Sequence, residues 1–164
     1  MNYIYIGKLE GTHGLKGEIK FKTDFKYLSK VLQKDFAFFL GNTKDKLLLA
    51  SYRPFKNGYL LLFQGFNDID LIKKYINKKV YVLKTALNLK DNEYVLEDFL
   101  NKEAFFQDKY LGKIIKITDE GSNNYIVYIQ AKKEILIPFN NHFLDKITDD
   151  KIYFKNVEGL IDEN

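Results

Sequence analysis

Apolar and polar positions alternate with a period of two through much of the chain. Glu18-Ile19-Lys20-Phe21-Lys22 is the clearest case: it predicts a half-buried strand with Ile19 and Phe21 inward. Tyr3-Ile4-Tyr5-Ile6 is apolar on both faces and reads as a buried strand. Between them, Gly7 to Gly17 carries Gly7, Gly11, Gly14 and Gly17, and is expected to be a glycine-rich connection after a strand ending near Lys8. Residues 24–32 fit a helical turn. Further strands are expected over 36–40, 46–52 and 59–63, with Arg53-Pro54 stopping the second and Lys56-Asn57-Gly58, containing the hairpin dipeptide Asn-Gly, turning into the third. Only residues 67–79 change period. Ile69, Ile72 and Ile76 take helical spacing behind Asp68 as N-cap, and Val80 to Leu83 returns to strand. About six short strands with one helix predict a small closed barrel over residues 1–86.

Residues 87–92 turn polar after Leu89 and form the expected linker. Residues 93–164 restart as a second small all-β unit. Strands are expected over 104–106, 111–118, 125–130, 134–137 and 151–154, with a hairpin turn at 107–110, a loop at 120–124 and Pro138 as a stop. A unit this size buries only about 60% of its chain's surface, so a neighbour or partner would support it.

Composition narrows the chemistry. The 164 residues suit one domain or two small ones, and 46% hydrophobic content can build packed cores. Zero cysteines exclude disulfides, thiol catalysis and cysteine-bound zinc, and two distant histidines argue against a histidine metal site. No metal or cofactor is expected. No apolar run approaches the ~20 residues that span a bilayer, and the opening MNYIYIGKLEG lacks the layout of a signal peptide. A cytoplasmic protein without membrane contact is expected.

Net charge is +4, but it is divided. Residues 1–86 hold 16 Lys+Arg and 7 Asp+Glu (+9), whereas residues 87–164 hold 10 and 15 (−5). A basic module suits a polyanion and an acidic one a basic protein, against the plain alternative of two ordinary solvated surfaces. Arg53 is the only arginine, so phosphate contacts must rest on lysines.

The Gly7–Gly17 stretch is no nucleotide loop. It is not G-x-G-x-x-G, lacks the Walker ending and opens a strand rather than a helix. Its glycines serve a tight connection first. His13 with Glu18 hints at acid–base chemistry, but no nucleophile or further catalytic partner accompanies them, and no enzyme is expected. His142 reads as a loop residue. Phe36, Phe38, Phe39 and Phe63 could stack bases, but in apolar strands they read as core.

Six separate stretches stand out: Gly7, Gly11, His13-Gly14-Leu15 and Gly17-Glu18; the helix after Gly65-Phe66-Asn67-Asp68; Asn92-Glu93-Tyr94 through Asp98-Phe99; Leu111-Gly112-Lys113-Ile114; Leu136-Ile137-Pro138-Phe139; and Glu158-Gly159-Leu160. Together, in this order and spacing, they resemble the RimM family of ribosome maturation factors. The resemblance covers nearly the whole length. It implies a mostly β protein: an N-terminal six-stranded barrel like those of translation factors, a short linker and a C-terminal PRC-type barrel. It also implies a non-enzymatic factor that binds the free 30S subunit, not whole ribosomes. Such a factor assists maturation of the subunit head, the 16S rRNA 3′ domain, with ribosomal protein S19 as partner. On this basis Lys8, His13, Lys16, Lys20 and Lys22 are expected to touch rRNA, and Tyr94 and Val95 a ribosomal protein. A monomer is expected, and the rival reading is a general RNA-binding β-barrel protein. Three positions depart from the family pattern. Val95 and Leu96 replace aromatics beside Tyr94, Asn101 stands where glycine is usual, and the 107–110 turn lacks its glycine.

Overall fold

The protein is described here by a computed structural model covering residues 2–91, 93–122 and 124–161. Asn92 of the Asn92-Glu93-Tyr94 motif and linker, and Asn123 of the 120–124 loop, lie outside the described residues. The fold is mostly β, with two six-stranded sheets. The chain divides into two compact units between Lys90 and Asp91.

In the first unit, β1 (Tyr3–His13), β2 (Glu18–Lys22), β3 (Ala37–Leu40), β4 (Asp45–Phe55), β5 (Gly58–Phe63) and β6 (Lys79–Leu83) close a barrel in the order β1-β2-β5-β4-β3-β6. All its pairs are antiparallel, and β6 returns to β1. The interior is aromatic. Phe38 is fully buried, with its ring edge-on to Phe63 (5.6 Å) and Phe21 (6.4 Å). Phe39 and Phe63 are buried too, so these aromatics serve the core.

Local detail differs from the expected pattern in four places. First, β1 does not end near Lys8. It runs through Gly7 and Gly11 to His13, leaving only Gly14 to Gly17 as the connection. Second, β4 continues through Arg53-Pro54. Beyond Leu48 it no longer pairs with β3, so the missing Pro54 N–H falls where one strand edge is open. Third, the hairpin turn is Lys56-Asn57, because Gly58 already pairs with Phe55. Fourth, the helix is shorter than its apolar spacing suggested. After a single turn α1 (Leu28–Val31), α2 spans Ile69–Ile72 and passes into a 3-10 turn, Lys73–Tyr75. Asp68 does cap it, its Oδ1 accepting from the Asp70 N–H at 2.8 Å. Ile76 (φ −57°, ψ 133°) leaves helical geometry, and Asn77 then adopts a left-handed conformation (φ 67°) before β6.

The 3-10 turn is pinned to the barrel. The Tyr75 hydroxyl donates to Asp45 Oδ2 (2.9 Å), and the Thr43 hydroxyl donates to Asp45 Oδ1 (2.7 Å). Burial first, then the Asp45 hydrogen bond, pushes the Tyr75 phenol up to about 12. A raised folded pKa means that this contribution is complete below the ordinary phenol value near 10 and is lost as pH rises through about 12. Phenolate absorbance should therefore show one of the 12 tyrosines ionising late. That late step should vanish in Tyr75→Phe; its survival would assign it elsewhere.

In the second unit, β7 (Glu103–Phe106), β8 (Lys109–Asp119), β9 (Tyr125–Gln130), β10 (Ile135–Pro138), β11 (Leu144–Ile147) and β12 (Lys151–Phe154) line up as β10-β9-β8-β7-β12-β11. Only β12 and β7 pair in parallel. One core takes Ala104, Ile114, Val127, Ile137 and Ile152 from five of these strands, while Leu144 and Ile147 of β11 pack against it. That fits a sheet curled round a single interior. The short, polar β11 and the one-turn helix α3 (Glu158–Ile161) carry too little periodicity to be read from sequence. Asn101 (φ 68°) and, in the 107–110 turn, Gln107 (φ 54°) take left-handed conformations that glycine would adopt without strain.

Candidate nucleic-acid interface

The lysines expected to touch RNA fall into two groups on the first barrel, plus one at its tip. Lys8 on β1 stands directly opposite Lys22 on β2 and, on its other side, directly opposite Lys79 on β6. All three are exposed. Three lysines thus stand side by side across adjacent strands, where directly opposed residues have Cβ atoms about 5 Å apart. None of the three joins an ion pair with a carboxylate among the described residues. Like charges so placed repel, and a polyanion would relieve them.

The second group surrounds Phe55 at the end of β4. His13, half-buried at the end of β1, sits with its ring 4.8 Å from Phe55. Lys20 Nζ lies 5.6 Å and Lys56 Nζ 5.3 Å from the same ring. Glu10, Lys20, Lys22, Phe55, Lys56 and Tyr59 line one groove. His13 is therefore held against Phe55 and is not at the tip of the β1–β2 connection. The tip is Leu15 (75% exposed) with Lys16. It is tied down where the Ile69 N–H donates to the Leu15 carbonyl at 3.0 Å.

Glu18, in register with His13, is committed elsewhere. Arg53 Nε donates to its Oε2 (2.8 Å) and Arg53 Nη2 to its Oε1 (3.0 Å). The Arg53 hydrogen bonds hold the Glu18 carboxyl below the usual carboxylate range, with a smaller contribution from the His13 field. An ionised, bidentately paired Glu18 is a poor general acid or base. The pair also occupies the sole arginine, so the free cationic surface here is lysine.

The second-unit candidates separate. Val95 is 3% exposed, so its side chain packs in the interior instead of facing a partner. Tyr94 is half-buried, with its ring edge-on to Phe99 (5.7 Å) and Phe139 (5.0 Å). His142 is exposed in a turn, its N–H donating to Asn140 Oδ1 at 3.0 Å. Lys79 was not singled out by sequence, because nothing local shows that β6 closes onto β1.

Among the described residues, no helix is long and apolar enough to cross a membrane, and no group of three or more His, Cys, Asp or Glu is placed to hold a metal ion. A family model described as the RimM N-terminal domain matches residues 4–87. A ribosome maturation factor RimM of Listeria monocytogenes is 33% identical, over 96% of this chain and 96% of its own length. The factor of the same name from an Exiguobacterium species is 29% identical over 99% of both chains. Among solved structures, the N-terminal domain of RimM from Thermus thermophilus covers 54% of this chain and 98% of its own, at 15% identity and a TM-score of 0.46.

Proposed function

The chain belongs to the RimM family of ribosome maturation factors, and we propose that it binds the free 30S subunit and assists maturation of its head, the 16S rRNA 3′ domain. It acts as an assembly chaperone in the cytoplasm, not as an enzyme. By binding one head conformation better than its competitors, it raises the population of that conformation. The first unit supplies salt-sensitive phosphate contacts through Lys8, Lys22 and Lys79, with His13, Lys16 and Lys20 along the same barrel. The second half of the chain, −5 beyond residue 86, meets a basic ribosomal protein, and S19 is the partner that family resemblance implies. Tyr94 is the side chain assigned to that contact, with Val95 anchoring the segment from the core. The observation that most supports this reading is the row of three unpaired lysines on adjacent strands.

Sedimenting a cell lysate through a sucrose gradient tests it. The protein should travel with free 30S particles and be absent from 70S. If it is missing from the 30S fractions, the reading fails. If it binds bulk RNA without preference for subunits, the rival general RNA-binding barrel takes its place.

A further inference from the structure

The β1 strand does not keep a strict alternation. Ile4 and Ile6 point inward and Tyr5 outward, so Lys8 would fall on the inner face. It does not, because the β1–β6 register shifts between Tyr5 and Gly7: Tyr5 opposes Tyr81, Gly7 opposes Val80 and Lys8 opposes Lys79. Such a bulge inserts one residue and reverses the phase beyond it. Gly7 is required at that point, since a Cβ there would meet the Lys22 carbonyl oxygen at 2.4 Å. The bulge therefore brings Tyr5 onto the same outer face as the lysine row, about 10 Å along the strand from Lys8.

Tyr5 is 52% exposed, a large aromatic surface left in water. Its ring meets Tyr81 edge-on at 5.9 Å. Lys79 Nζ stands 5.8 Å from the Tyr5 ring, and Lys44 Nζ lies 4.1 Å over Tyr81. A half-exposed aromatic ring beside a line of lysines free of carboxylate ion pairs among the described residues is the arrangement that holds single-stranded nucleic acid: bases stack on rings while phosphates meet lysines. Two carboxylates flank it. Asp45 is hydrogen-bonded to Thr43 and Tyr75, and Glu10, an exposed β1 residue, lines the neighbouring groove with Lys20 and Lys22.

We propose that Tyr5 is a stacking platform for one unpaired RNA base, with the flanking phosphates on Lys8, Lys22 and Lys79. This rests on the rRNA-binding reading of the first unit and narrows it to an unpaired segment. Duplex RNA keeps its bases stacked on each other and cannot use the ring.

The test measures binding of the full chain to a fluorescein-labelled single-stranded oligoribonucleotide, to its duplex and to an acidic peptide of equal charge. The single strand should bind tightest. Tyr5→Ala should weaken it roughly 5- to 150-fold with an unchanged salt slope, while Tyr5→Phe, which keeps the ring, should bind like the parent. Lys8→Gln should instead lower the salt slope by about 0.7, with affinity falling roughly 5-fold at ~0.1 M salt. Equal binding of duplex and single strand, preference for the peptide, or unaltered single-strand binding by a folded Tyr5→Ala protein overturns the proposal. Circular dichroism establishes that the variant is folded, and the Tyr5→Phe result separates loss of stacking from loss of structure. Sedimentation with 30S particles is scored alongside. If the parent binds 30S but Tyr5→Ala keeps full single-strand affinity, the stacking platform alone falls. If the parent does not bind 30S yet Tyr5→Ala loses single-strand binding, the ribosomal reading alone falls.

Discussion

Gly17→Ala is expected to destabilise the first unit by about 3 kcal/mol, far more than the same change at Gly14 or Gly11. Two effects add at Gly17. Its φ of +96° lies where an L side chain is strained, at about 1–2 kcal/mol. A Cβ would also sit 2.0 Å from the Phe66 carbonyl oxygen, a backbone atom that cannot swing away. Forcing that contact apart costs a further 1–3 kcal/mol or so. It would also pull the hairpin tip from the start of α2, where Ile69 bonds Leu15. Gly14 shares the left-handed conformation (φ +69°) but faces open space, so Gly14→Ala should cost only about 1 kcal/mol. Gly11 has neither constraint, and alanine there should be close to neutral. Amide exchange of the β1 and β2 N–H groups reads the first unit alone. Equal losses at the three sites would show that the tip is not seated on Phe66.

That comparison also shows what could be read from sequence. The four glycines were legible as a cluster, but not as a set with different duties. Gly7 and Gly11 lie inside a strand, Gly14 turns the chain, and Gly17 lets two backbones touch. Which duty each holds depends on the partner backbone, which local pattern does not contain. Strands β2, β3, β5 and β9 were recoverable, because burial on one face or both imprints itself directly on the residue order. Pro54 misled because its usual meaning assumes two neighbouring strands, and β4 has one there. Val95 was placed on a surface by its position beside Tyr94, yet it fills the core. The site followed the same rule. Lys8 and Lys22 were visible as basic positions near one hairpin, whereas Lys79 joins them only through barrel closure, which pairs residues 71 positions apart.

Neutralising the row is expected to move binding and stability in opposite directions. In Lys8→Gln/Lys22→Gln/Lys79→Gln, three phosphate contacts are removed from RNA binding. With a slope of about −0.7 per contact on single strands, the logarithmic salt dependence should fall by about 2, and affinity at ~0.1 M salt roughly 100-fold. The same substitutions remove the Lys8–Lys22 and Lys8–Lys79 repulsions. Opposed like charges are unfavourable by about 0.2–1 kcal/mol each, so the barrel should gain up to about 1–2 kcal/mol. The lysine stems will retain part of that through the surface they cover, which places the gain toward the lower end. Lys34→Gln, at an exposed lysine outside the row, should do neither. Binding titrations at several salt concentrations, with thermal unfolding of the same samples, read both effects. An unchanged salt slope would remove these lysines from the interface. A stabilised barrel with weakened RNA binding would be the signature of surface charge retained, against the fold's own preference, for a polyanion on that face.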